Sequence, residues 1–243
     1  MKVDIKTRAE IDRMREACRL TAEIRDICAN AVAPGVTTGD IDDLVEEFCS
    51  KNKVRASFFN YMGFPGRLCV SINDEVIHGI PSRSRKLKQG DIVSIDLGAE
   101  KNGYHGDNAA TFAVGKISDE AQRLIDTTRE SLYEGIKMAR AGGRTGDIGY
   151  AIQNHCEASA YGVVREFVGH GIGKEMHEDP QVPNYGKRGS GPMLKKGLCI
   201  AIEPMITMGR PDVVWLDDEW TVVSEDGSLA AHYENTVLIT DGE

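Results

Sequence analysis

The chain has no apolar run of membrane-spanning length. Its opening, Met1-Lys-Val-Asp-Ile-Lys-Thr7, has no signal-peptide apolar region and enters a helical pattern directly. The six cysteines at 18, 28, 49, 69, 156 and 199 form no C-x-x-C pair, and several fall on apolar faces, the usual place for reduced, buried thiols. Positive charge is also short: 29 Lys and Arg stand against 38 Asp and Glu, a net charge of −9, which argues against a nucleic-acid surface. Gly169-His-Gly-Ile-Gly-Lys174 is not a phosphate loop, because no Ser or Thr follows the lysine and the glycine spacing fits no nucleotide fingerprint. His177-Glu178 lacks the second His of a zincin helix. No low-complexity segment or linker interrupts the chain. These absences leave a cytoplasmic globular protein without membrane or sequence-specific nucleic-acid partners.

What is present is ordinary in bulk, with 41% hydrophobic and 28% charged residues in 243. Thr7-x-x-Glu10 is a capping box opening a long helix that Ala33-Pro34-Gly35 closes. Ile41, Leu44, Val45 and Phe48 mark a second helix from about Thr38. Cys69 to Asn73 reads as a short strand, and Arg83 to Lys88 as a solvated connection. Further helices are expected from Ser118 to about Ala141 and from Thr145 to Gly162. Strands are expected at 163–168, 198–203 and 233–239, with an extra hairpin over 213–223. The prolines at 180, 183 and 192 predict a loop. Helix, helix, then strands in each half is an α+β pattern.

The stretch from Asp91 to Thr111 reads as two strands joined at Asn102-Gly103, a dipeptide suited to a tight type I′ turn. A two-residue loop sets Asp107 opposite Gly98, so Asp96 and Asp107 become diagonal neighbours, roughly 7–8 Å apart at Cα. Two acids on one sheet face repel or bind protons unless a cation lies between them.

This stretch has an echo. Leu87 to Asp96 aligns without gaps to Leu194 to Glu203, a shift of 107 that lays Glu203 on Asp96. At the same shift Thr38-Gly-Asp-Ile41 and Cys49 recur as Thr145-Gly-Asp-Ile148 and Cys156. With an insertion, His105-Gly-Asp107-Asn matches His232-Tyr-Glu234-Asn. Duplication explains two ungapped matches at one offset. It makes one catalytic domain of two related halves, about 1–115 and 116–243, each bringing a sheet with two acids.

The resulting constellation is Asp96, Asp107, His170, Glu203 and Glu234, with His78 and His177 spare. A lone strand Asp is usually a turn or salt-bridge residue, and a lone His usually structural. Four converging carboxylates are different, since a like-charged pair at about 4 Å costs roughly 4 kcal/mol at an effective dielectric of 20. Oxygen-rich ligation with one imidazole suits Mn²⁺, Fe²⁺ or Co²⁺ at least as well as Zn²⁺. Paired ions activate water in hydrolases.

The motifs Ser71-Ile-Asn-Asp-Glu-Val-Ile-His-Gly-Ile-Pro81, Asp96-Leu-Gly with Gly106-Asp107, Gly169-His-Gly-Ile-Gly173, Met176-His-Glu, Ile202-Glu-Pro204 and Tyr233-Glu-Asn-Thr236 resemble the type I methionine aminopeptidases over nearly the whole chain. The resemblance implies a duplicated pita-bread fold, an antiparallel sheet backed by helices, and release of the initiator methionine from peptides and nascent chains with small second residues. It implies two divalent ions (Co, Mn, Fe or Zn), bridged by Asp107 and Glu234. Asp96 completes one ion, and His170 and Glu203 the other. Glu203 shuttles a proton, His177 donates to the scissile carbonyl, and His78 contacts the substrate amide. Tyr61, Phe64, Cys69, Met176 and Trp220 form the methionine pocket. A monomer meeting nascent chains at the ribosome is expected. Two residues depart from the family pattern: Met62 and Asn235 stand where histidine is frequent. The rival readings are a proline-specific relative of the same fold, which usually carries an extra preceding domain not expected here, and a non-catalytic binding module.

Overall fold

The structure, a computed structural model, describes residues 3–242. Among the described residues the elements are, in order, α1 (Arg8–Ala31), α2 (Thr38–Asn52), β1 (Arg55–Ala56), β2 (Cys69–Ile72), β3 (Glu75–Ile77), β4 (Ile92–Lys101) and β5 (Tyr104–Ala113). Then come α3 (Asp119–Met138), α4 (Thr145–Glu157), β6 (Gly162–Val163), β7 (Gly169–Gly171), β8 (Glu178–Val182), β9 (Cys199–Ile202), β10 (Met205–Thr207), β11 (Val213–Trp215), β12 (Val222–Ser224), β13 (Ala230–His232) and β14 (Glu234–Leu238).

The helices begin where side chains satisfy their first amides. Thr7 Oγ1 accepts from Glu10 N–H, and the Glu10 carboxylate accepts from Thr7 N–H, closing the expected box. Thr37 and Asp40 repeat the device on α2, and Ser118 caps α3. Ile24, Ile41 and Val45 pack on Val93, Ile95 and Leu97. Leu132, Ile148 and Ile152 pack on Ile200 and Ile202.

The two acid-bearing regions do not make separate sheets, as the sequence reading expected. β5 pairs β14 through Glu234↔Ala109 and Asn235↔Asn108, so one eight-stranded sheet runs β1-β4-β5-β14-β9-β7-β8, with β2 also on β4. Every pairing is antiparallel.

The central hairpin has the expected register, Gly98↔Asp107 and Asp96↔Ala109, turning at Asn102 and Gly103 with φ of 54° and 78°. Three local expectations are corrected. α4 stops at Glu157 instead of running to Gly162, which lies in β6, where a Cβ would meet Thr207 Oγ1 at 2.4 Å. Of the expected strand 163–168 only Val163 is β-structure, in the two-residue β6 paired with β10. The proline-bearing segment is partly a strand, β8, at the sheet's edge, where a proline lacking N–H is tolerated.

The halves share hydrogen bonds at the offset of 107. Gly35 N–H donates to Leu87 O and Gly142 N–H to Leu194 O; Leu87 N–H donates to Val36 O and Leu194 N–H to Gly143 O. Gly90 to Val114 and Gly197 to Ile239 do not share that offset at both ends, because the second half carries the added residues ahead of its last strand.

Candidate active site

Five elements deliver the polar residues to one cavity of about 220 Å³. Asp96 comes from β4, Asp107 from β5, His170 from β7 and Glu234 from β14, while Glu203 follows β9. All five line the cavity. Asp107, His170 and Glu234 each place a ligand atom within 4.8 Å of the others. His170 Nε2 lies 3.7 Å from Asp107 Oδ2 and 3.6 Å from Glu203 Oε1.

The supports are specific. His170 Nδ1 is 2.8 Å from Gly171 O, so the protonated Nδ1 donates there and leaves the Nε2 lone pair facing the carboxylates. Thr236 Oγ1 accepts from Asp107 N–H and donates to Asp107 O, both at 3.0 Å, clamping β5 to β14 at the acid. Asn184 Nδ2 donates to Glu203 O at 3.0 Å. His105, two residues before Asp107, lies 2.8 Å from Ser57 Oγ through Nδ1, and its N–H donates to Gly173 O. That bond ties the turn preceding His177 to the hairpin.

The electrostatics are unbalanced. Among the described residues no Lys or Arg pairs with any of the four carboxylates. Burial pushes Asp107 up to about 8. Burial, with Asp107 adding to it, drives Asp96, Glu203 and Glu234 well above the carboxylate range. Asp96 Oδ1 and Glu234 Oε1 are buried without a hydrogen-bond partner. Buried orphan acceptors of this kind cost free energy unless a proton or cation satisfies them. An oxygen-rich donor set with one free imidazole nitrogen therefore fits a divalent cation of the Mn, Fe, Co or Zn group.

The remaining predicted residues divide. Tyr61, Phe64, Cys69, His78, His177 and Trp220 line the same cavity. Met176 does not; it is buried in a cluster with Met14, Tyr104, Ile172 and Cys199, close to Gly98. Cys69 sits directly opposite Asp96 on β2. His78 holds a left-handed φ of 60°, a conformation that non-glycine residues keep only where the surroundings impose it. Its ring meets Phe167 and Trp220 edge-on, and burial, with His177 nearby, lowers it to about 4. His177 Nδ1 lies 2.7 Å from the Tyr61 hydroxyl, and desolvation with the adjacent His170 lowers it to about 4.

Met62 lines the cavity at its rim, 84% exposed. Asn235 does not line it; its Oδ1 accepts from Asn108, whose own Oδ1 accepts from Arg25. The sequence reading missed Phe58, Ile77, Phe167 and Val168, which also line the cavity. Phe167 stands just ahead of the glycine run, whose small residues signal close approach of backbone, but nothing in the spacing marks its ring as a wall.

Comparison with known proteins comes to the same place. The sequence matches metallopeptidase family M24 over residues 12–241. It is 54% identical over 237 residues to a methionine aminopeptidase of Clostridium acetobutylicum, covering 98% of this chain and 95% of that protein. The crystal structure of methionine aminopeptidase from Rickettsia prowazekii superposes with a TM-score of 0.97 at 40% identity, covering 99% of this chain and 97% of that one. A prolidase from Pyrococcus furiosus shares the fold, with a TM-score of 0.77 at 24% identity over 98% of this chain and 63% of its own. The chain has the pita-bread fold and belongs to metallopeptidase family M24, among its methionine aminopeptidases.

Proposed function

We propose that this chain removes the N-terminal methionine from peptides and nascent proteins in a metal-dependent hydrolysis, with small second residues preferred. The observation that carries the reading is the set of four buried carboxylates, two with orphan oxygens, beside a free imidazole nitrogen at the wall of an apolar cavity. At about 220 Å³ that cavity is below the usual range for drug-sized ligands, roughly 300–1,000 Å³, and suits one side chain.

Asp96, Asp107, His170, Glu203 and Glu234 would hold two divalent ions, Asp107 and Glu234 serving both, Asp96 the first, and His170 and Glu203 the second. Such ions supply Lewis acidity and lower the pKa of water. Glu203, at the cavity wall with Oε1 3.6 Å from His170 Nε2, is placed to accept and return the proton in hydrolysis. Tyr61, donating to His177 Nδ1, leaves the proton on Nε2, which donates to the scissile carbonyl oxygen as charge develops there. His78, neutral at pH 7, contacts the substrate amide. Tyr61, Phe64, Cys69 and Trp220 surround the methionine side chain and exclude water, while Met176 braces the wall from behind.

Among the described residues no helix is long and apolar enough to cross a membrane. The six free cysteines support a reducing compartment, the cytoplasm, where a monomer would meet nascent chains at the ribosome. Release of the N-terminal residue from Met-Ala-Ser, Met-Lys-Ser and Xaa-Pro peptides tests the specificity. The reading expects Met-Ala-Ser to be cut far faster than either competitor. Equal turnover of Met-Lys-Ser, or a preference for Xaa-Pro, would overturn it.

A further inference from the structure

Beyond the methionine cavity, the rim of the site carries apolar surface that the fold does not use. Val214, Trp215 and Leu216 are 41%, 54% and 43% exposed. Three consecutive exposed apolar residues are unfavourable for solubility and call for a functional explanation. Trp215 is joined to the cavity by a succession of rings. Phe64 meets Trp220 at 5.1 Å between centroids, Trp220 meets His78 at 6.4 Å, His78 meets Phe167 at 5.7 Å, and Phe167 meets Trp215 at 5.5 Å. The first four line the cavity; Trp215 does not.

Strand register sets the distance. Trp215 pairs with Val222, and Val222 with Ile77, which lines the cavity. Two strand spacings amount to about 9.5 Å, the length of roughly three residues of extended chain. We infer that Trp215, stacked on Phe167, forms an apolar subsite for the third or fourth residue of the substrate peptide, favouring aromatic or large aliphatic side chains there. The inference rests on the aminopeptidase reading, because only a peptide whose first side chain fills the cavity is placed to run out over Trp215. The occupant is the substrate itself, since the apolar surface is continuous with the cavity wall through Phe167. Asp217, Asp218 and Glu219 follow on the exposed turn, so acidic residues at these substrate positions are disfavoured.

The test is kcat/KM for metal-loaded protein on Met-Ala-Ser-Ser-Gly, Met-Ala-Phe-Ser-Gly and Met-Ala-Ser-Phe-Gly, with Met-Ala-Ser as reference. One of the phenylalanine peptides should be favoured by roughly 5- to 20-fold, mainly through KM, as burial of a large apolar side chain predicts. Trp215→Ser should abolish that preference. Val214→Ser, on the other face of the same strand, should keep it. Absence of a preference in the unaltered protein, or its persistence in Trp215→Ser, would overturn the subsite while Met-Ala-Ser is still cleaved. Failure to cleave Met-Ala-Ser would instead remove the aminopeptidase reading.

Discussion

His170 and His177 lie 4.2 Å apart between ring centroids, yet their hydrogen bonds give them different work. His170 spends Nδ1 on Gly171 O and faces the acids with Nε2, whereas His177 meets Tyr61. His170→Ala should lower affinity for at least one ion, with activity partly recovered by added metal. His177→Ala should keep the metal and lose roughly 10²–10³-fold in kcat, the usual effect of removing one oxyanion donor. Calorimetric metal titration beside steady-state kinetics separates them; equal metal loss in both variants would contradict the assignment. The acids make a second prediction. A carboxyl with a raised folded-state pKa binds its proton more tightly folded than unfolded. Its stabilisation is complete at acid pH and is lost as pH rises through the folded value, about 8 for Asp107. The histidines lowered to about 4 oppose this only below about 6.5. From about pH 6.5 to 8 the metal-free protein should therefore lose stability, by up to about 1.4 kcal/mol per pH unit for each retained proton. Metal-loaded protein should lose much less. Melting curves with and without metal check it, and a metal-free midpoint that rises over this range would contradict it.

At the scale of elements, α1 lies so close to β5 that a Cβ at Gly106 would meet the Cys18 backbone at 2.7 Å. Backbone has no rotamer to yield. Gly106→Ala should cost roughly 1–3 kcal/mol, as overpacking does, and shift the neighbouring Asp107. A denaturant midpoint unchanged from the parent would show that the helix can move away freely. The elements are also where the sequence was most and least legible. The capping box at Thr7 and the Asn102-Gly103 turn carry local chemistry with one solution, so the helix start and hairpin register followed, and with the register the diagonal of Asp96 and Asp107. The joining of β5 to β14 is a non-local pairing without a turn to announce it. The end of α4 is set by Ala160, whose left-handed φ of 59° turns the chain without a glycine to announce it. Met176 and Phe167 look alike in sequence as apolar residues within three positions ahead of a histidine, and only the packing sends one behind the wall and the other into it. The recurring bonds of Gly35 and Gly142 with Leu87 and Leu194 support the reading of two related halves.

For the whole molecule, the joined sheet matters because it brings acids from both halves to one cavity that neither half forms alone. The net charge of −9 is partly concentrated there, where no Lys or Arg among the described residues answers it. A cation is thus required for the ionised site to be stable at neutral pH and for the chemistry assigned to it. Free methionine released from Met-Ala-Ser is the most direct measure, taken before chelation, after exhaustive chelation with metal content verified, and after adding back Mn²⁺, Fe²⁺ or Co²⁺. The account predicts turnover that disappears with the metal and returns with at least one of these ions. Undiminished turnover by protein shown to be metal-free would contradict it.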